Sequence, residues 1–467
     1  MGPARPVREG LRTRVPGRVA APAGRVGGSR DAGRGDPGPA RHATGRSVRL
    51  EPVSTPDDPL AALLAAAGLG EEKSEPADDP LAAALAAAGL GDVTPGETVA
   101  PEPRIQVSAA PEEPEDEGPT ERWPAGAASG VGSLPGTDPR EAAETVAGEL
   151  PLLPHLPELP ARGVGADPVG RAAGLLVDLA VEVVPTAWRV TARPGKDHRR
   201  AVDLLRSDLD ALDEACDRAR PEWVKVQVVG PWTLVASVEL ASGHRVLTDH
   251  GAVREFAVSL TEGLRAHVAE VAARTGAHVV VQLDEPRLAA VLAGSLPTAS
   301  GYGTVRAVPE PEAQDTLRDM ISALRVPVTV RVPGDRPPLR LLREVGVAGL
   351  AIDATRPSIS GDTAVPAALD AVGEVWDAGL PLFLGLVPVR DPGRPLETAT
   401  LARSAFDLAD RLGFDRARLA ELAVPTPAGG LARATPDWAR RAMELSRDLG
   451  RAFTDPDELP DSEQTGR

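Results

Sequence analysis

Two adjacent carboxylates, Asp284 and Glu285, follow the β-prone run 279–283 and precede a proline. Carboxylates at the end of a strand can hold an ammonium group or exchange protons with a ligand. A structural reading is the alternative, in which Asp284 caps the next segment and Pro286 stops the strand. The position at a strand end favours binding or catalysis.

A second candidate is the turn Gly132-Ser133-Leu134-Pro135. Glycine lets backbone N–H groups approach a ligand, and the serine hydroxyl adds a donor for a carboxylate or phosphate. The same residues also fit an ordinary turn in which Ser133 caps a helix that begins at Pro139.

Further candidates surround these two. Trp232, after Gly230-Pro231, can form a flat wall for an aromatic or sugar-like ligand, and packing in the core explains it as well. A basic loop suits an anionic group, although a solvated helix start explains it nearly as well; its members are Arg193, Lys196, His198, Arg199 and Arg200.

The single cysteine, Cys216, shares a helical stripe with Leu205, Leu209 and Leu212, which predicts a core position. One cysteine excludes an intramolecular disulfide and any metal site that needs two thiolates from this chain.

The formal net charge of −17 over 467 residues repels polyanions, so nucleic acid is not expected as a partner. No apolar run approaches the roughly 20 residues of a membrane span, and the N-terminus has no apolar stretch of about 7–15 residues typical of a secretion signal. The sequence predicts a cytoplasmic protein that binds a small molecule and neither nucleic acid nor a membrane.

Residues 1–125 are predicted to be a disordered extension, because their Arg, Gly, Pro and Ala offer too little apolar surface to offset the entropy of ordering. The pattern DDPLAAxLAAAGLG occurs twice there, at 57–70 and 78–91. Each copy resembles a short helix with an Asp cap, a Pro start and a Gly stop. Such helices are marginal alone, so the repeat serves either to dock a protein partner or as transient helices in a linker. Residues 456–467 are predicted to be a disordered tail.

Residues 126–455 alternate β-prone runs with helical patterns, which is typical of parallel strands joined by crossover helices. The predicted strands are 127–133, 177–184, 224–230, 278–284, 328–332, 349–353, 382–387 and 419–424. The predicted helices are 139–150, 199–219, 251–275, 311–324, 338–345, 366–378, 397–412 and 436–453.

Eight strands and eight helices predict an α/β fold, a (βα)₈ barrel of the TIM type. An open dinucleotide-binding sheet would need Gly-x-Gly-x-x-Gly after a strand, and residues 130–136 do not keep that spacing. In a barrel, function lies on the loops after the strands, where Ser133, Trp232 and Asp284 fall.

Three motifs in this order resemble the catalytic barrel of cobalamin-independent methionine synthases, within the uroporphyrinogen decarboxylase/methionine synthase superfamily. They are residues 132–135 (GSLP), 282–286 (QLDEP) and 427–431 (PAGGL). The resemblance implies methyl transfer from a methyl-folate to the sulfur of homocysteine bound to zinc as thiolate. It also implies that Ser133 binds the carboxylate of an amino acid and Asp284 its ammonium group.

The zinc ligands of that family do not carry over. Its His-x-Cys pair falls on Arg331 and Pro333, its carboxylate ligand on Asp353 and its last cysteine on Gly429. Only Asp353 can ligate a metal, and Arg331 is always protonated and donates only. No metal site is therefore predicted. Residues 236–237 (AS) stand where the family has Asn-Trp, which argues against methyl-folate as well.

The sequence thus predicts a methyltransferase-family homologue that keeps the amino-acid pocket and has lost the zinc–thiolate machinery. The predicted substrate-binding residues are Gly132, Ser133, Trp232, Asp284, Glu285 and Arg331. Two alternatives stay open: a non-catalytic, ligand-binding or regulatory barrel, and a metal-independent enzyme of the decarboxylase type in which Arg331 holds a substrate carboxylate.

Overall fold

The computed structural model of the protein describes residues 122–456. Its strands, β1 to β9 in chain order, are Ala180–Val183, Trp188–Thr191, Trp223–Val229, Val238–Glu239, His278–Asp284, Val328–Arg331, Gly349–Asp353, Leu382–Val387 and Ala423–Pro427. Its α-helices, α1 to α12 in chain order, are Pro139–Glu149, Pro168–Ala173, Lys196–Ala219, Pro231–Ser237, His250–Thr275, Leu288–Leu292, Glu310–Leu324, Leu339–Arg343, Pro366–Asp377, Thr398–Leu412, Leu419–Leu422 and Pro436–Thr454. Four short 3₁₀ turns lie between them within these residues.

Local sequence fixes where several helices begin. Asp138 caps α1 by accepting a hydrogen bond from the Arg140 N–H at 2.9 Å, and Asp249 caps α5 through the Ala252 N–H at 3.0 Å. Thr435 does the same for α12 through the Trp438 N–H. A side-chain oxygen at this position pairs a backbone donor that the helix itself leaves unpaired.

Six parallel strands form the main sheet in the order β3-β5-β6-β7-β8-β9. Two extended segments complete the ring: 127–134 bonds to β9 through Ser129 N to Pro425 O at 3.2 Å, and 153–158 bonds to β3 through Lys225 N to Pro154 O at 2.8 Å. These segments bond to each other through Leu134 N to Glu158 O at 2.9 Å. The predicted α/β barrel is confirmed.

The prediction of 177–184 as the second barrel strand is wrong. This segment contains β1, which pairs antiparallel with β2, and both belong to a separate three-stranded sheet with β4. The second position of the barrel belongs to residues 153–158, in the sequence PLLPHLPELP. Every third residue there is a proline without an N–H group, so the segment does not show a regular strand pattern.

Two other predicted strands are shifted. Residues 127–133 lie in the barrel wall, but only Ser133 makes a ladder bridge. The last strand was predicted at 419–424, where the structure has α11 first and then β9 from Ala423.

An apolar plug fills the amino-terminal end of the barrel. It comprises Trp123, Ala127, Leu153, Trp223, Val280, Ala351, Phe383 and Val424. Trp123 packs edge-on against Phe383 with ring centroids 5.1 Å apart. The packed barrel therefore begins at Trp123, three residues before the predicted boundary, and polar side chains are left to the opposite end.

Between residues 122 and 456, no helix combines the length and apolar character needed to cross a membrane. The repeat at 57–70 and 78–91 lies outside the described residues, so its role in docking a partner stays a prediction.

Candidate functional site

Asp284 and Arg331 are the last residues of neighbouring strands, and the register pairs them directly. Nη1 of Arg331 lies 3.7 Å from Oδ1 of Asp284, and the two side chains keep 18% and 17% of their surface exposed. Both point inward at the carboxyl ends of parallel strands, where barrels place their binding groups. They form the centre of the candidate site.

The environment of Asp284 is polar but confined. Its Oδ1 accepts a hydrogen bond from Nε2 of Gln282 at 3.0 Å. Burial raises the pKa of Asp284, and the charges of Arg331 and Lys225 oppose that rise. Since burial outweighs those charges, a further positively charged group beside Asp284 would stabilise its carboxylate form.

Ser133 lies at the closure of the barrel, next to the loop that follows β9. The Leu431 N–H donates to the Ser133 carbonyl at 2.8 Å, and the Ser133 hydroxyl occupies the space that a side chain on Gly430 would need. Gly132 has φ +141°, and a Cβ there would stand 2.8 Å from the Gln227 side chain. Both glycines are therefore required, and two of the three sequence motifs meet here.

The carboxyl ends of the strands, where Asp284 and Arg331 lie, form the mouth of the barrel. Arg331 also reaches across this mouth toward the loop that follows β9. Its Nη2 lies 3.8 Å from the point where a Cβ on Gly429 would stand. The guanidinium therefore lies between Asp284 and the loop that contains Gly429.

Glu285 is fully buried and turned away from the mouth. Its Oε1 accepts from the Trp232 N–H at 2.9 Å, and its Oε2 accepts from the N–H and hydroxyl of Thr233 at 2.7 and 2.6 Å. Burial raises the pKa of Glu285 to about 7, although these hydrogen bonds oppose the rise. The geometry is that of a cap on helix α4.

Trp232 lies in the same buried layer, with 1% of its surface exposed. Its indole Nε1 donates to the Ala313 carbonyl at 3.2 Å. Of the predicted substrate-binding residues, the structure brings Gly132, Ser133, Asp284 and Arg331 to the mouth, and it places Glu285 and Trp232 beneath the surface.

The four positions that hold zinc ligands in the resembled family do not offer a zinc donor set here. A guanidinium, a proline and a glycine supply no ligand, and Oδ1 of Asp353 accepts from the N–H and hydroxyl of Thr355 at 3.0 and 2.6 Å. Between residues 122 and 456, no cluster of three or more His, Cys, Asp or Glu side chains could hold a metal ion. A zinc site takes three or four such ligands, so these residues do not fit the metal.

Beneath the mouth lies a residue that the sequence analysis did not single out. Lys225 is fully buried, and its Nζ donates to Oε1 of Gln282 at 2.8 Å. Gln282 in turn bonds to Asp284, so the lysine is linked to the mouth. Burial lowers the pKa of Lys225 to about 7, against the charges of Asp284 and Glu158. A lysine inside the apolar strand Trp223–Val229 was the available signal.

Glu158, on the wall next to β3, is a second buried group with an unusual pKa. Burial raises that pKa to about 7, against the charge of Arg171, whose Nε lies 3.6 Å from Oε1 of Glu158. Lys225 and Glu158 are thus an amine and a carboxyl whose pKa values meet near neutrality, although they lie on different segments of the wall.

Two predictions outside the mouth can be compared with the structure. Cys216 is 1% exposed, and burial raises the pKa of its thiol to about 11, so the predicted core position is confirmed. In the basic loop, Arg199 donates to the Pro194 carbonyl at 2.7 Å and Arg200 to the Val164 carbonyl at 3.0 Å. These guanidinium groups stabilise the start of α3.

The chain was compared with known families and structures. A family model described as cobalamin-independent synthase, catalytic domain, matches residues 126–451. Comparison with curated proteins finds no match. A B12-independent methionine synthase from Shewanella sp. W3-18-1, in complex with selenomethionine, is 12% identical, with a TM-score of 0.45 over 70% of this chain and 97% of that chain. A methyltransferase from Methanosarcina mazei is 16% identical, with a TM-score of 0.42 over 72% of this chain and 94% of that chain. Because the family model matches residues 126–451, more than half of the sequence, the chain belongs to the family of cobalamin-independent synthase catalytic domains.

Proposed function

We propose that this barrel binds a small, amino-acid-like molecule at its mouth and does so without a zinc–thiolate centre. In this proposal Asp284 faces the ammonium group of the ligand and Ser133 its carboxylate. The observation that carries this proposal is the hydrogen bonding of the two carboxylate oxygens of Asp284. Gln282 fixes its Oδ1, while Oδ2 accepts no hydrogen bond from any residue between 122 and 456, so it can receive an ammonium N–H.

Ser133 supports the other half of the proposal. Ser133 is partly exposed, and its hydroxyl lies beside Gly430, which has no side chain to cover it. A hydroxyl can donate to a carboxylate oxygen, and the neighbouring glycines let the ligand approach the backbone.

Methyl transfer to a thiol in this family depends on zinc, which lowers the pKa of the thiol and holds it as thiolate. The residues at the zinc positions argue against that centre, because Arg331 brings a fixed positive charge to the place of the cation. We therefore propose that this member of the family retains the amino-acid pocket and does not use zinc-dependent methyl transfer.

Calorimetry on the full chain with homocysteine, methionine, a methyl-folate and a porphyrinogen mimic tests this proposal. Binding of the amino acids, with weak or no binding of the methyl-folate, is the expected result. Tight methyl-folate binding together with methionine formation would show an active synthase and overturn the proposal.

A metal-independent enzyme is the second candidate, and the link from the buried Lys225 through Gln282 to Asp284 favours it. A buried amine that is joined by hydrogen bonds to a carboxylate of the mouth is a candidate acid or base. Release of carbon dioxide from a bound carboxylic acid, lost in Lys225→Met, would support this candidate over a binding protein.

A further inference from the structure

We propose that the ligand of the mouth is an α-amino acid with an anionic side chain, and that Arg331 binds this second anionic group. The inference rests on the proposed function, because it assumes that Asp284 receives the ammonium group. It adds the chemical class of the ligand.

The first observation is the unused capacity of Arg331. A guanidinium has five N–H donors, and the only charged partner of Arg331 among residues 122–456 is Asp284. The separation of 3.7 Å is longer than a hydrogen bond, so the donors of Arg331 remain available. The side chain is partly exposed at the mouth, where a ligand can reach it.

The second observation is the space around the guanidinium. Position 429 has no side chain, and Nη2 of Arg331 comes within 3.8 Å of the place where a Cβ would be. The amide N–H groups of Gly429 and Gly430 donate to no other residue in the described part of the chain. The Arg331 guanidinium, the Ser133 hydroxyl and two backbone N–H groups without an acceptor therefore lie close together at this part of the mouth.

The third step is a count of charges. In the unliganded mouth, Asp284 balances Arg331. When an ammonium group binds Asp284, the ammonium group and Arg331 share one carboxylate. The α-carboxylate of the ligand at Ser133 keeps the total charge of the mouth balanced, but the partner of Arg331 is then shared with the ammonium group.

Other carboxylates of the barrel do not fill this gap. Asp353 is engaged by Thr355 and lies 4.0 Å from Nε of Arg356, and Glu158 faces Arg171. A confined guanidinium that must share its only carboxylate is poorly compensated for the hydration it has lost. An acidic side chain on the ligand supplies an unshared partner for Arg331, and a planar carboxylate or a phosphate-like group matches the guanidinium fork.

Isosteric pairs of amino acids test the charge alone. Calorimetry with the full chain compares glutamate with glutamine and aspartate with asparagine. At least one acid is expected to bind about tenfold to a hundredfold tighter than its amide, the range for a hydrogen bond to a charged group. In Arg331→Gln this preference should disappear. In Arg340→Gln, a control on α8 whose arginine pairs with Glu374 outside the mouth, it should persist.

The outcomes separate the two proposals. If the amides bind as tightly as the acids, this inference is wrong and the amino-acid pocket stands. If no amino acid binds, the proposed function is wrong, and glutarate becomes the deciding probe. If glutarate binds and Arg331→Gln abolishes that binding, the anion site at Arg331 is supported. If glutarate does not bind, both proposals are wrong. Should Arg331→Gln fail to melt cooperatively, the comparison of acid and amide on the unaltered chain decides.

Discussion

Arg331 and Asp284 end adjacent parallel strands with their charged groups 3.7 Å apart, at the one end of the barrel that the apolar plug leaves open. The relationship is a loose ion pair, close enough for each charge to stabilise the other and too long for a hydrogen bond. A ligand can therefore bind to either group without first breaking a tight contact.

Asp284→Asn should weaken the binding of an amino acid by about 1.5–3 kcal/mol, because it removes the charge that faces the ammonium group and keeps the shape. Calorimetry measures the loss, and thermal melting should show little change in stability. Asp315→Asn, on the exposed face of α7, is the control. Unchanged affinity in Asp284→Asn would mean that the carboxylate is structural.

The purified full chain, free of any metal-binding tag, should contain far less than one zinc per molecule by elemental mass spectrometry. Too few donors remain at the zinc positions, and Arg331 opposes a cation there. The combined change Arg331→His, Pro333→Cys and Gly429→Cys restores the spacing of the family and should raise zinc occupancy. Stoichiometric zinc in the unaltered chain would contradict the proposal of a degenerate site.

Lys225→Met should change how stability depends on pH. The pKa of Lys225 is lowered from 10.5 to about 7 in the folded protein, so between pH 7 and about 10 the unfolded chain binds more protons than the folded one. Stability linked to this lysine is therefore lowest below pH 7 and rises with pH, by up to about 1.4 kcal/mol per pH unit for one proton.

Urea unfolding of both proteins at pH 6, 7, 8 and 9 measures this effect. The stability of the unaltered protein relative to Lys225→Met should increase across the series, while Lys196→Met, at the exposed start of α3, should run parallel to the unaltered protein. A constant difference for Lys225→Met would show that the buried amine has an ordinary pKa.

Glu285→Gln should lower the free energy of unfolding by about 1–3 kcal/mol, because an amide presents one acceptor where the carboxylate serves three donors on Trp232 and Thr233. Denaturant unfolding checks the loss, and the affinity for amino acids should stay nearly constant. A selective loss of binding at unchanged stability would instead support the prediction that Glu285 contacts substrate.

Trp123→Ala should destabilise the barrel by about 3–5 kcal/mol, since it removes an aromatic side chain from the plug beside Phe383. A chain that begins at Glu121 keeps this residue and is expected to unfold cooperatively with a melting temperature close to that of the full chain. If the shortened chain does not unfold cooperatively, residues before 121 are needed for folding, and the predicted domain boundary fails.

Much of the architecture could be read from local patterns. Strands such as Val328–Arg331 and helices such as His250–Thr275 lie within a few residues of their predicted bounds, because periodicity and capping are short-range properties. The segment 153–158 could not be recognised as a barrel strand from the sequence. Its prolines lack N–H groups and break the usual strand pattern, and its place in the wall depends on hydrogen bonds with neighbouring segments. The β-prone run around β1 was assigned to the barrel for the same reason: strand pairing is not a local property.

For the site, the sequence by itself determined which side chains stand at the strand ends, so Ser133, Asp284 and Arg331 were identified before any geometry. The residue type alone also led to the prediction that a guanidinium stands where the resembled family has a metal ligand. Only the tertiary structure decided which of the consecutive side chains Asp284 and Glu285 faces the mouth. Adjacent residues on a strand face opposite sides, so Asp284 enters the mouth while Glu285 turns outward to cap a helix. The barrel likewise decided the state of Lys225, whose pKa is lowered by burial against the opposing charges of Asp284 and Glu158.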